Sequence, residues 1–312
     1  MKPTQTLEQR IASLYRAGQK PVEYNASTVS ETMMNMYLAK KHQMSDPSIV
    51  EIQQEYREYD RLTERLRLKK GLPRQCMWEL YLHFDEKERL IRDNRMEYRD
   101  QFYWKLRFLI DANPGKKVVC LFSIGFFTND VVTNGHLEIV VFDPALNTLE
   151  HIDSNQIPKQ RRRRDPAYFE CCEISKEIVR EVARMIEEQP IFISNDDIYS
   201  GYDYGIQSLE ASSDLLTEVE QKGYCLMWAI LFADLSLSYP DESMKHIIQT
   251  IMKKADSKLT KTRFINDYLA GVIRGYSVEI TRILNVDFTN EESLHLACIE
   301  LSKEQKQNCD SA

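Results

Sequence analysis

An α+β fold is what this sequence predicts, and three observations carry the prediction. Short β-branched and aromatic runs cluster between residues 116 and 154. Longer runs with apolar residues at three- and four-residue spacing lie on both sides of them, and Asn, Gly, Asp and Pro mark the joints. The expected architecture is a small mixed or antiparallel β-sheet packed between helices, with a central helix headed by Cys225 and accessory helices at the N-terminus. Residues 1–70 are read as an accessory helical region, 71–290 as the main domain and 291–312 as a C-terminal helix or tail.

The first region is polar and charge-dense. Within SDPSIVEIQQEYREYDRLTERLRLKK, Ile49, Ile52, Tyr56, Tyr59 and Leu62 recur at helical spacing, Ser45 or Asp46 suits the N-cap, and Pro47 suits the first turn. It holds too few large apolar residues for a core of its own, so it packs on the rest or binds something else. Met33, Met34 and Met36 read as packing against a neighbouring helix.

Residues 71–113 also carry aromatic residues and leucines at helical spacing and end at an Asn-Pro-Gly turn, which makes His83 a packed helix histidine. The period then changes. Runs 116–127, 136–143 and 148–154 read as strands, 172–189 as a helix stopped by Pro190, and 191–195 as a further strand. Three helices follow, headed by Cys225 and by the segments starting at Asp241 and Thr262.

Bulk properties narrow the class of protein. The 312 residues, 43% of them apolar, suffice for a substantial core. No window nears the roughly 18 uninterrupted apolar residues of a membrane span, and the first twenty residues lack the apolar stretch of a secretory signal. A protein kept inside a cell, in cytoplasm or nucleus and without a membrane partner, is expected.

The 7 cysteines, at positions 76, 120, 171, 172, 225, 298 and 309, form no paired CxxC knuckles. They read as reduced thiols, with Cys171 and Cys172 structural, and neither a structural zinc nor a cofactor is expected. A net charge of -7 weighs against a nucleic-acid binder. Arg161, Arg162, Arg163 and Arg164 form one concentrated positive run, suited to a solvated loop or to an anionic partner.

One geometric argument points to chemistry. The linker DPALN between runs 136–143 and 148–154 is turn chemistry for a hairpin. A hairpin centred between Pro144 and Ala145 places His136 across from Asp153, and Glu138 across from His151, on one face. A carboxylate on one imidazole nitrogen fixes the tautomer and leaves the other nitrogen free as a base. The pair of His151 and Glu138 reads as a surface pair.

Cys225 supplies the missing nucleophile. It stands just after Gly223 and at the start of the apolar run Leu226, Trp228, Ile230, Leu231 and Phe232, where free backbone N–H groups and the helix dipole favour thiolate. A cysteine packed as a small hydrophobe fits the same position, so both readings stand on these residues alone.

The order and surroundings of these residues, in GHLEIVVFDPALNTLEHIDSN and KGYCLMW, resemble those of the superfamily of the adenovirus maturation protease and the SUMO proteases, including versions found in large eukaryotic DNA viruses. The resemblance covers about residues 116–240. It implies a cysteine peptidase, a thiol protease whose triad is His136, Asp153 and Cys225, acting on a ubiquitin-like modifier, as a deubiquitinase or deSUMOylase does, or on a viral precursor protein. It places the chain in a cell, a host cell or a virion, and makes 71–290 the catalytic domain.

The superfamily also implies an oxyanion-hole glutamine, here Gln207, with Gln221 as the alternative. The chain departs from the usual pattern in having Leu137 after the histidine and Val219 six residues before the cysteine. Two other readings remain open: a catalytically impaired interaction module of the same fold, and an acyl-cysteine acetyltransferase, for which no phosphate-cradling glycine loop is present.

Overall fold

Alternation decides the centre of the molecule. Along 118–122 and 137–142 every residue but Glu138 is apolar, and odd and even positions serve two different cores. Burial on both faces is the mark of central strands. The computed structural model describes residues 5–19, 37–38, 41–42, 75–85, 90–92, 95–128, 131–154, 166–200, 202, 205–206, 224–258 and 262–284.

Among these residues the strands are β1 (Gln75–Phe84), β2 (Leu90–Arg92), β3 (Val118–Thr128), β4 (Val131–Asp143), β5 (Thr148–Ile152) and β6 (Ile191–Ile193). They form a 6-stranded sheet in the order β2-β1-β3-β4-β5-β6. The pairs β1·β3 and β5·β6 are parallel and the other three antiparallel, so the sheet is mixed. Helices and strands together agree with the α+β class.

The helices are α1 (Leu7–Ala17), α2 (Arg95–Ala112), α3 (Pro166–Met185), the single turn α4 (Asn195–Ile198), α5 (Tyr224–Ser238), α6 (Met244–Lys258) and α7 (Thr262–Leu284). On one face of the sheet, Leu121, Leu137, Ile139, Val141 and Ile152 share a core with α1, α5, α6 and α7. On the other, Phe122, Val140, Phe142 and Leu149 share a core with α2 and α3. None of these helices is long and apolar enough to cross a membrane.

The reading of 71–113 as helical is corrected in its first half. Residues 75–84 are a strand paired along its whole length with β3, and only 95–112 are helical. Leu80, Leu82 and Phe84 are buried while Tyr81 is exposed, a period of two. Its alternation is short, and the helical spacing of the residues that follow draws the whole segment into one helical reading. His83 therefore stands on a strand, with its ring stacked 5.0 Å from that of Phe127.

α5 is apolar nearly all round, the pattern of a helix buried on every side. Met227 through Ala233 are all buried. Its one charged residue, Asp234, is fully buried, and such a group needs partners. They come from the N-terminal region: Lys41 Nζ at 2.5 Å, His42 Nε2 at 2.8 Å and Arg10 at 3.7 Å. Arg10 and Lys41 also hold Glu279 of α7, at 2.5 and 2.8 Å.

α1 is built to stay. Thr6 and Gln9 form a capping box at its start, and Leu7, Ile11 and Leu14 enter the core shared with α5. At its end the backbone meets α7 so closely that a Cβ on Gly275 would overlap the Leu14 carbonyl, and a Cβ on Gly18 that of Gly271. The expected helix within 45–70, the methionines at 33, 34 and 36, and the tail at 291–312 lie outside the described residues.

Candidate active site

The β4–β5 hairpin sets the site. Pro144 to Asn147 make its four-residue turn. Asp143 Oδ1 accepts from the N–H groups of Ala145 and Leu146, at 3.0 and 3.3 Å, and Asn147 takes the left-handed conformation (φ 48°) that asparagine tolerates. The ladder runs from Asp143↔Thr148 to Ile139↔Ile152. Continued one step, it sets Glu138, not His136, opposite Asp153.

The expected register is therefore wrong by two residues. Because side chains alternate with a period of two, that offset leaves the same residues on the same face. His136 meets Asp153 diagonally, its Nε2–H donating to Oδ1 at 2.7 Å, with both residues buried. His151 Nε2–H donates to Glu138 Oε2 at 2.7 Å, and this pair is buried too, a correction to its reading as a surface pair.

β5 pairs with β4 only as far as Ile139, so the start of β4 has no β5 partner. Cys225, in the first turn of α5, is placed against this end. Its sulfur accepts from the backbone N–H groups of Leu137 and Leu226 and is hydrogen-bonded to His136. Since His136 Nε2 is taken by Asp153, Nδ1 is the atom left for the thiol.

Electrostatics follow from this geometry. Burial pushes the Cys225 thiol up, but the hydrogen bond and charge of His136, with the two backbone N–H groups, outweigh it and leave the thiol below its ordinary value. For His136, burial favours the neutral ring. The charge and hydrogen bond of Asp153, joined by Cys225, overcome that and raise it well above the ordinary imidazole value. A thiolate–imidazolium pair is the state both shifts favour.

Asp153 is held in turn. Its N–H donates to Asn195 Oδ1 at 3.0 Å, and Cys172 Sγ–H donates to its Oδ2 at 3.6 Å. One ligand atom each from His136, Glu138 and Asp153 lie within 4.8 Å of one another, the one group with metal-ligand character among the described residues. Glu138 Oε1 and His151 Nδ1 are buried without a hydrogen-bond partner.

The chain thus brings together three of its sequence-expected site residues, His136, Asp153 and Cys225. Gln207, Gln221, Gly223 and the run Arg161–Arg164 lie outside the described residues. Sequence reasoning missed Asn195 and the role of Cys172 beside the acid, which no local pattern signals. Asp234 did carry a signal, as the single charge in an otherwise apolar helix. Comparison with protein-family models, curated proteins and solved structures returned no match to this chain.

Proposed function

We propose that this chain is a cysteine peptidase of the kind its sequence resembles, with Cys225 as nucleophile, His136 as proton carrier and Asp153 as the group that orients it. The observation that carries this reading is one buried imidazole hydrogen-bonded through Nε2 to a buried carboxylate and also to a thiol at a helix start. The same reading makes the sheet between two helical layers, with α5 headed by the nucleophile, the protease fold of that superfamily.

The chemistry follows from these groups. The Cys225 thiolate attacks the scissile carbonyl carbon, forming a C–S bond while the carbonyl electrons move to oxygen. Gln207 and backbone N–H groups are the proposed donors to that oxyanion. As the tetrahedral centre collapses, the C–N bond breaks and His136 Nδ1 passes its proton to the leaving amine. Water then attacks the thioester and gives its proton to His136, and the C–S bond breaks to restore the thiolate. The proposed substrate is a ubiquitin-like modifier or a viral precursor, which needs no cofactor for cleavage.

The test is to incubate the protein with ubiquitin and SUMO probes bearing a C-terminal electrophile, beside iodoacetamide, and locate the label by mass spectrometry. The expected result is labelling of Cys225 at least tenfold faster than any other of the 7 cysteines, lost in His136→Ala. Labelling at the common rate, indifferent to His136, sinks the reading.

A further inference from the structure

The triad leaves one deeply buried carboxylate unused. Glu138 is 0% exposed; its Oε2 accepts from His151, and its Oε1 has no hydrogen-bond partner. A carboxylate oxygen without a donor in a dry interior is costly, and an ion is one way to satisfy it. Beside it lie the imidazole of His136 and the carboxylate of Asp153, with one ligand atom of each of the three residues inside 4.8 Å.

We propose that His136, Glu138 and Asp153 form an inhibitory Zn²⁺ site beside Cys225. One imidazole nitrogen and two carboxylate oxygens suit zinc, and two carboxylates balance its charge within the buried cluster. Zn–N and Zn–O bonds of about 2.0–2.2 Å put neighbouring ligand atoms about 3.3 Å apart on a tetrahedron, so modest side-chain rotations close this group on the ion, with water in the fourth position. The bond from His151 to Glu138 Oε2 orients the new ligand as an outer partner does in zinc sites.

Binding has a chemical consequence for the thiol. Zinc takes His136 Nε2 in place of its proton, which leaves to solvent. Nδ1 then keeps a hydrogen directed at Cys225, so the ring has no free nitrogen to take a proton from the thiol, and without its second proton it is a far weaker acid toward the leaving amine. The inhibitory consequence rests on the peptidase reading; the binding does not.

The experiment uses the full chain, with Zn²⁺ competed against a chromogenic chelator and Co²⁺ as a spectroscopic stand-in. One site per chain is expected, retained in Cys225→Ser, weakened at least tenfold in Glu138→Gln, and giving a Co²⁺ spectrum without a thiolate charge-transfer band. Stoichiometric Zn²⁺ should slow iodoacetamide labelling of Cys225 at least tenfold, with recovery on adding EDTA. Loss of the site in Cys225→Ser, a thiolate band with Co²⁺ in the wild-type chain, or no stoichiometric binding overturns the proposal. Because the Co²⁺ spectrum needs no variant, misfolding of Glu138→Gln cannot mask the answer. Tight binding with no enhanced Cys225 labelling in metal-free protein supports the site and removes the peptidase reading alone.

Discussion

Two clusters of charge sit on one apolar helix, Cys225 with His136 and Asp153 at the start of α5, and Asp234 with Lys41, His42 and Arg10 near its end. Both put ionisable groups in the interior, and they differ in how completely their hydrogen bonds are made. Asp234 Oδ1 receives His42 and Ser238, and Oδ2 receives Lys41 and Tyr37. At the other end Cys225, His136 and Asp153 are bonded to one another, but Glu138, grouped with His136 and Asp153, and its partner His151 leave Oε1 and Nδ1 without a partner. A saturated cluster ties elements together, whereas an unsaturated one keeps capacity for a reaction or a ligand.

Removing the saturated cluster should cost the most. Asp234→Ala leaves His42 without its carboxylate and Lys41 and Arg10 with Glu279 alone, and a loss of about 3 kcal/mol is expected in urea unfolding. A loss under 1 kcal/mol would erase the distinction between the two ends.

Acid should come next. Burial pushes Asp234 up, but the His42 hydrogen bond and the charges of Lys41 and His42 prevail and hold it well below the ordinary carboxylate value. Glu279 is likewise lowered, with burial opposed by Arg10 and Lys41. Both folded values are depressed, so their contribution to stability is full above the unfolded values of about 3.9 and 4.3 and is lost as pH falls through the folded ones. Urea midpoints should drop from pH 7 to pH 3, and drop less steeply in Asp234→Ala.

The smallest effect on stability should belong to the residue with the largest effect on chemistry. Cys225→Ala removes a half-buried thiol from a helix start and should shift the unfolding free energy by under about 1 kcal/mol, while abolishing probe capture. A shift of several kcal/mol would make Cys225 a packing residue instead.

What could be read from the chain was local. The hairpin is legible in DPALN, the helix of Cys225 in its apolar run, and the meeting of His136 with Asp153 survives a register error because faces repeat every two residues. β1 was lost because the alternation of Trp78, Leu80, Leu82 and Phe84 with Glu79, Tyr81 and His83 is short and runs into the helical spacing of the residues after 95. The partners of Asp234 were lost because Lys41 stands 193 residues away and Arg10 further still. Nothing in a sequence window reports a contact of that span.

The glycine-lined crossing of α1 and α7 bears on the order in which the molecule is completed. Arg10 and its partner Glu279 are 269 residues apart, and the seat that Gly271 and Gly275 offer to Leu14 and Gly18 does not exist until α7 has been made. On the ribosome α1 emerges before α7 and its seat on that helix waits for α7 to be made, so Leu14 and Gly18 stay without those partners until then. With its deepest contacts so far apart along the chain, this fold should close slowly and late.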